Sequence, residues 1–245
     1  MSQIKNSHRP ESIAEALSLL NRSGINTALI AGGTYLTPNM PPEVEELVDL
    51  QDVGLDSIDR NNGQVTIGAM TRLQSLVDQA DMPPLVQEMA HREGPNTMRN
   101  MATIGGVIVG GDWESELLAA LLVFEATIIL EGADGGQSIP LTDFLADSDS
   151  ALKGRLLTSV TFPTHGETAS ERVARTPADT PIVAALVRLE SETQHIALCG
   201  VADTPILVSQ EALSTLNPPA DFRGSTEYRK EMAQVLTERV VSGLK

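Results

Sequence analysis

Apolar and polar positions follow two rhythms along the first half of the chain. Ile13, Ala16, Leu17 and Leu20 recur at helical spacing. Pro10 lies ahead of them, Ser12 stands where a cap belongs, Glu15 completes a capping box and Gly24 supplies a stop, so the pattern predicts a helix over 10–23. Thr27 to Ile30 is a short apolar run between turn signals and reads as a strand, leading straight into Ala31-Gly32-Gly33-Thr34. Glu46 to Leu50 is a second short strand. Gln64 to Ala69 alternates, with Val65 and Ile67 on one side, as a half-buried strand does, and Asn62-Gly63 before it is a hairpin turn. Thr71 is expected to cap a helix whose Leu73, Leu76, Val77 and Ala80 share a face. Pro83-Pro84 opens another, with Leu85, Met89 and Ala90 inward, and Gly94-Pro95 stops it.

The pattern changes at Met98 to Gly111, where two glycine pairs, Gly105-Gly106 and Gly110-Gly111, bracket Val107, Ile108 and Val109. An apolar helix is expected from Ser115 to Phe124, then a strand from Thr127 to Leu130 and a tight turn at Asp134-Gly135-Gly136. Acidic and serine residues with Gly154 mark a composition shift over 147–154, which sets a domain boundary. Beyond it, Leu156 to Phe162, Ile182 to Leu189 and His195 to Val201 read as three strands. Two helices close the chain, Ser209 to Leu216 and one from Ser225 that buries Tyr228, Met232, Val235 and Leu236. The fold class is therefore α+β, ending in a small α+β domain.

Composition bounds what such a fold serves. The 245 residues suffice for one large or two to three small domains, and 41% hydrophobic content argues against disorder. No run of 18 apolar residues suggests a membrane span, and Met1 to Lys5 show no apolar signal region. A single cysteine, Cys199, leaves no internal disulfide, multi-cysteine zinc site or cysteine-held cluster to this chain alone, and a reducing cytoplasm is the expected location. Seventeen Lys and Arg against 33 Asp and Glu give a net charge of −16, the wrong field for duplex nucleic acid or an anionic membrane. Aromatics at 3% offer no stacking platform for bases. Such acidity suits a soluble, self-repelling surface, with a docking face for a basic partner as the alternative.

Little in the sequence points to a catalytic side chain. There is no G-x-S-x-G elbow, no G-x-G-x-x-G and no G-x-x-x-x-G-K-[ST]. Cys199 lies in an apolar strand, and His8, His91, His165 and His195 show no metal-ligand spacing. Asp112, Glu114 and Glu116 read most simply as carboxylates at a helix start. The glycine pairs remain. Bare backbone lets successive N–H groups face one anion, and a helix N-terminus adds partial positive charge. Gly32-Gly33-Thr34 follows a strand and Thr103-Ile104-Gly105-Gly106 precedes a helix, so two distant bends are placed to grip a diphosphate without lysine. Paired glycines also mark ordinary tight turns.

These same residues carry a resemblance. Ala31-Gly32-Gly33-Thr34-Tyr35-Leu36-Thr37-Pro38 and Arg99-Asn100-Met101-Ala102-Thr103-Ile104-Gly105-Gly106 resemble the two flavin-binding motifs of the FAD (medium) subunit of molybdenum hydroxylases, the xanthine dehydrogenase and aerobic carbon monoxide dehydrogenase family. Arg9 to Ala16, Leu47 to Leu50, Ile67 to Thr71, and Ser225, Tyr228 and Arg229 are similar to further family segments, in order along nearly the whole chain. The resemblance implies a two-subdomain FAD-binding fold of the vanillyl-alcohol oxidase/PCMH type, with subdomains at 1–54 and 55–150, followed by the small C-terminal domain at 151–245. It implies FAD on this chain, with Gly32, Gly33 and Thr34 on one side of the pyrophosphate and Thr103, Gly105 and Gly106 on the other, and with Ala31, Tyr35, Leu36, Ala102 and Ile104 in the cofactor-binding set beside them. Glu116 and Arg175 complete the implied cofactor-binding set, and no catalytic side chain or metal ligand is implied. Molybdopterin and iron–sulfur clusters would sit on a large and a small partner subunit, in a hetero-oligomer that transfers electrons to an external acceptor.

Several residues depart from the family pattern. Tyr35 replaces a frequent polar residue, Met40-Pro41 a basic ending, Val107 the usual asparagine, Asp112-Trp113 the usual Ser-Pro and Glu116 the usual aspartate. Three carboxylates near a pyrophosphate repel it unless they point away, and Arg99 is placed to offset them. Trp113 suits either a flavin edge or an interface anchor, and Arg175 either the cofactor or plain surface. The departures motivate a second expectation, a flavin-poor scaffold subunit of the same kind of complex.

Overall fold

The computed structural model describes residues 4–244. Three strands, β1 (Asn6–His8), β2 (Thr27–Ile30) and β3 (Glu46–Asp49), form a parallel sheet in the order β1-β3-β2. Helix α1 (Ile13–Leu20) starts where the sequence places it: the Ser12 hydroxyl oxygen accepts from the Glu15 N–H at 3.2 Å. The Glu15 carboxylate accepts in turn from Glu11 N–H rather than from Ser12. β1 carries no hydrophobic signal. It is held instead by Asn6 and His8, whose side chains bond the buried Glu46 carboxylate at 2.8 and 2.9 Å. Ala16, Val48, Leu50, Val53, Met70 and Leu156 form the core of this layer.

The second layer is an antiparallel sheet of β4 (Ile58–Asn61), β5 (Gln64–Gly68), β6 (Thr127–Gly132), β7 (Gly135–Pro140) and β8 (Leu156–Pro163), in the order β4-β5-β8-β6-β7. Asn62 and Gly63 both have positive φ, 50° and 76°, which turns the β4–β5 hairpin as the dipeptide predicts. Helices α2 (Leu73–Asp78), α3 (Pro84–Arg92), α4 (Asn96–Arg99), α5 (Ile104–Gly110), α6 (Glu116–Val123), α7 (Leu141–Ala146) and α8 (Ser148–Leu152) pack around it. All eight residues of α6 are buried, so this apolar helix is the centre of the molecule.

Three expectations are corrected here. Thr71 does not cap α2. The cap position is Arg72, without a side-chain bond, and the Thr71 hydroxyl donates to the Ser57 carbonyl at 3.3 Å. Ala80 falls beyond the end of α2. Most consequentially, β8 pairs with β5 and β6, not with the strands that follow it. The composition shift at 147–154 is the surface of α8, and the sheet pairing continues past it to Pro163.

The third layer is an antiparallel sheet of β9 (Glu167–Val173), β10 (Val183–Glu190), β11 (Thr193–Cys199) and β12 (Ile206–Val208), in the order β12-β11-β10-β9. A 3-10 turn (Glu211–Thr215) and α9 (Thr226–Gly243) follow. β10 is buried on both faces. Ala184 and Leu186 join the main core with α6, while Val183, Ala185 and Val187 join a second core with α9. The buried face of α9 is also corrected. Tyr228 is exposed and Met232 and Val235 are half-buried, whereas Arg229, Ala233, Leu236, Thr237, Val240 and Val241 are buried. Arg229 sets this rotation: its guanidinium donates to the Ile182 and Gly200 carbonyls, pairs with Asp221 at 2.7 Å and lies 4.6 Å from the Trp113 ring. Among the described residues, no helix is long and apolar enough to cross a membrane.

Candidate functional site

The two glycine bends, some seventy residues apart in sequence, touch. A Cβ on Gly32 would lie 1.8 Å from the Met101 carbonyl oxygen, so only a glycine allows the first bend to press against the second. Gly33 follows at φ +69°, a left-handed turn that closes with Thr37 N–H to the Gly33 carbonyl at 3.0 Å. The Asn39 amide fixes the Tyr35 carbonyl at 2.9 Å. The N–H groups of Gly32, Gly33, Thr34, Tyr35 and Leu36 find no acceptor among the described residues. They form an unsatisfied run of donors, the arrangement that binds anions.

The second bend differs from its expectation. Thr103 caps α5, so Gly105 and Gly106 lie in the first turn of a helix rather than in a loop before one. Its amides are engaged: Ile104 N–H donates to Thr71 O at 3.0 Å, Gly105 N–H to Ala69 O at 2.9 Å and Gly106 N–H to Thr103 Oγ1 at 3.1 Å. Gly105 is required by packing, since a Cβ there would lie 2.7 Å from the Ala69 carbonyl oxygen. What this bend offers a ligand is the Thr103 N–H and hydroxyl, neither of which donates within the described residues, and the bare surface of its glycines. Ala102 and Ile104 carry the bend, with Ala102 accepting from Leu73 N–H and Ile104 fully buried in the core.

Between the bends opens a cleft of about 330 Å³. Ala31 to Leu36, Thr103, Gly105 and Gly106 line one part of it, and Leu20, Leu29, Leu50, Leu152, Leu156 and Leu157 an apolar recess, with Arg155 beside them. Tyr35 stands with its ring against Gly110, where a Cβ would be 3.3 Å from Cδ2, and is half exposed. A second, polar cavity of about 420 Å³ shares Ala31, Gly32, Met70 and Thr103 with the cleft and adds Gln51, Asp52, Asp56, Arg72, Asn100 and Met101. Arg155, Arg72 and the leucines were not legible in the sequence, because they are brought to the glycines by two separate layers.

Glu116 and Arg175 line neither cavity. The Glu116 carboxylate is buried between Arg92 and Arg172, each at 2.8 Å, and burial raises its pKa against the pull of both arginines. Its neighbours point the same way. Asp112 accepts from Glu114 N–H at 2.9 Å, and Glu114 binds Arg223 and the Thr180 hydroxyl. Glu114 and Glu116 therefore bind arginines of the C-terminal layer, and Asp112 accepts within its own turn, rather than any of the three lining the cleft. Arg175 pairs with Asp179 at 3.5 Å and stacks beside the exposed Phe222 ring at 5.7 Å. Arg99 bonds Gln74 and the carbonyls of His91 and Gly94, so it holds the α3–α4 turn. Trp113 is an interface anchor, under Arg229 and accepting from Gly200 N–H at 2.7 Å. Val107 packs half-buried against the main core.

Two further groups were missed. The Glu93 carboxylate accepts from the Ser115 hydroxyl at 2.6 Å and from Leu117 N–H at 3.1 Å, at the start of α6. Burial, helped by Asp112 and Glu116, raises it to about 7 despite those bonds. Glu125, Glu190 and His195 bring ligand atoms within 4.8 Å of one another, but the buried Arg188 guanidinium already pairs with both carboxylates.

A left-handed amide bend and a capped helix turn, closing on one cleft between two sheet layers, define a protein built to hold a nucleotide-type cofactor. The chain belongs to the family described as the FAD binding domain in molybdopterin dehydrogenase, which matches residues 2–165. It is 31% identical over 278 residues to the carbon monoxide dehydrogenase medium chain of Afipia carboxidovorans, covering 97% of this chain and 96% of that one. It is 30% identical over 265 residues to the glyceraldehyde dehydrogenase medium chain of Sulfolobus acidocaldarius, covering 94% of each. A chain of the reconstituted CO dehydrogenase from Oligotropha carboxidovorans superposes with a TM-score of 0.85 at 29% identity, covering 99% of this chain and 98% of that one. The likeness therefore runs through the C-terminal layer as well, and the chain is a member of an oxidoreductase flavoprotein family.

Proposed function

We propose that this chain is the FAD-binding electron-transfer subunit of a multi-subunit molybdenum hydroxylase. Electrons would arrive from iron–sulfur clusters on a small partner subunit, fed by a molybdopterin-binding large subunit, and leave to an external acceptor. The observation that carries the reading is the run of unsatisfied N–H groups from Gly32 to Leu36 over a glycine-lined cleft. Those amides would hold the diphosphate, with the Thr103 hydroxyl donating from the opposite wall. The leucine recess excludes water and accepts a flat, weakly polar ring. FAD, when bound, supplies one- and two-electron redox chemistry, while the protein sets binding and exposure. No side chain of this chain acts as a general acid or base in this role.

A second reading, a flavin-poor scaffold in the same kind of complex, is favoured by the engaged amides of Ile104, Gly105 and Gly106. Titration of the purified chain with FAD separates the two. Saturable quenching of flavin fluorescence at one site, abolished by Gly33→Asp, is expected for the electron-transfer subunit. No saturable quenching is expected for the scaffold.

A further inference from the structure

Arg155 is the one charged side chain among those lining the 330 Å³ cleft. Its backbone N–H donates to Leu152 O at 3.0 Å at the entry to β8, and its stem crosses Gly132, where a Cβ would lie 3.0 Å from Arg155 Cγ. The head donates to the neutral Gln137 side chain. Among the described residues it has no carboxylate partner, a condition it shares with Arg60, Arg72, Arg99 and Arg239 but with no other arginine that lines the cleft. In a chain with 33 acidic residues, a half-buried arginine beside a recess whose head holds only an exposed, neutral partner is free to take an anionic ligand.

We propose that Arg155 is a positioning residue that engages the adenylate half of the cofactor and sets the preference for FAD over FMN, an inference that rests on the flavin reading above. Arg155 borders the leucine recess, which suits a purine and not a second charged group. A guanidinium there pairs with a phosphate oxygen on the adenosine side or lies flat on the ring, and both contacts are absent from FMN. The sequence ends its first glycine motif on Met40-Pro41, without a basic residue, so Arg155 also supplies a countercharge that the bend lacks.

The test is equilibrium titration of the full chain with FAD, FMN and ADP, for wild type, Arg155→Leu and Arg155→Lys. Arg155→Leu is expected to weaken FAD and ADP by roughly 10- to 100-fold and to leave FMN within about twofold, as loss of one charge-assisted contact implies. Arg155→Lys keeps the charge and the packing over Gly132, so it should weaken FAD less than the leucine variant and guards against a folding defect. FAD binding unchanged in Arg155→Leu, or FMN weakened as much as FAD, overturns the inference alone. A wild-type chain that takes up neither FAD nor ADP overturns the flavin reading beneath it.

Discussion

Gly32 and Gly24 look alike in sequence, and the structure separates them. Gly24 has open space around it, so alanine there costs only its left-handed φ of +76°, about 1–2 kcal/mol. Gly32→Ala drives a methyl into the Met101 carbonyl and should destabilise the chain by roughly 1–3 kcal/mol as the bends part. Denaturant melts with FAD titrations check this: Gly24→Ala should bind FAD normally and Gly32→Ala should not. Glu93 gives a pH effect at the same scale. Its carboxyl titrates at about 7 in the native chain against 4.5 in the ordinary state, because burial disfavours its charge. The native state therefore holds a proton that the unfolded chain releases, and stability falls as pH rises between those values, then levels off above 7. Glu93→Gln should flatten that fall, which denaturation midpoints at pH 5 and pH 8 measure. Equal falls in both proteins would remove Glu93 as the cause. The motif glycines were legible because two distant pairs sit at element ends inside segments that resemble the family's motifs, whereas the protonation of Glu93 depends on neighbours from α6 that no local pattern reveals.

Helix α6 is the element on which the layers turn. Its first residue, Glu116, links Arg92 of α3 to Arg172 of β9, and the segment just before it supplies Trp113 to Arg229 and Glu114 to Arg223. Glu116→Gln leaves two guanidinium groups facing one another without the anion between them and should cost roughly 3–5 kcal/mol of stability. FAD affinity of the folded fraction should be unchanged, since Glu116 lines neither cavity. A large rise in the FAD dissociation constant, at unchanged melting temperature, would place this carboxylate at the cofactor after all. The helix itself was legible from its apolar run. Its role was not: the acidic cluster 112–116 has the same composition whether it faces a diphosphate or three arginines. β8 shows the same limit. Its alternation marks a strand, but strand pairing is a long-range choice, and the partners β5 and β6 lie far up the chain.

In the whole molecule, the second and third layers share one continuous core, which runs from Val65 in β5 through α6 to Cys199 in β11, while the first layer keeps its own around Val48. Cys199 lies fully buried where α6 covers the C-terminal sheet, and burial pushes its thiol well above the ordinary range. Its reaction with a thiol reagent should therefore follow global unfolding rather than local opening, with a labelling rate that rises in step with the denaturant transition. Fast labelling of the native chain would mean that the C-terminal layer swings away from α6 on its own. The net charge of −16 bears on the same scale: against so acidic a chain, the cleft is lined by one charged side chain, and it is the basic Arg155.

By itself the sequence determined the elements with strong periodicity, the two glycine bends and the family they belong to, because these depend on local spacing and on backbone freedom. Tertiary structure alone decided which strands pair, which carboxylates meet arginines, and that one bend offers its amides while the other has them engaged. Those outcomes are set by contacts between residues tens of positions apart, where burial and charge fix the energy and neighbouring residues carry no record of it.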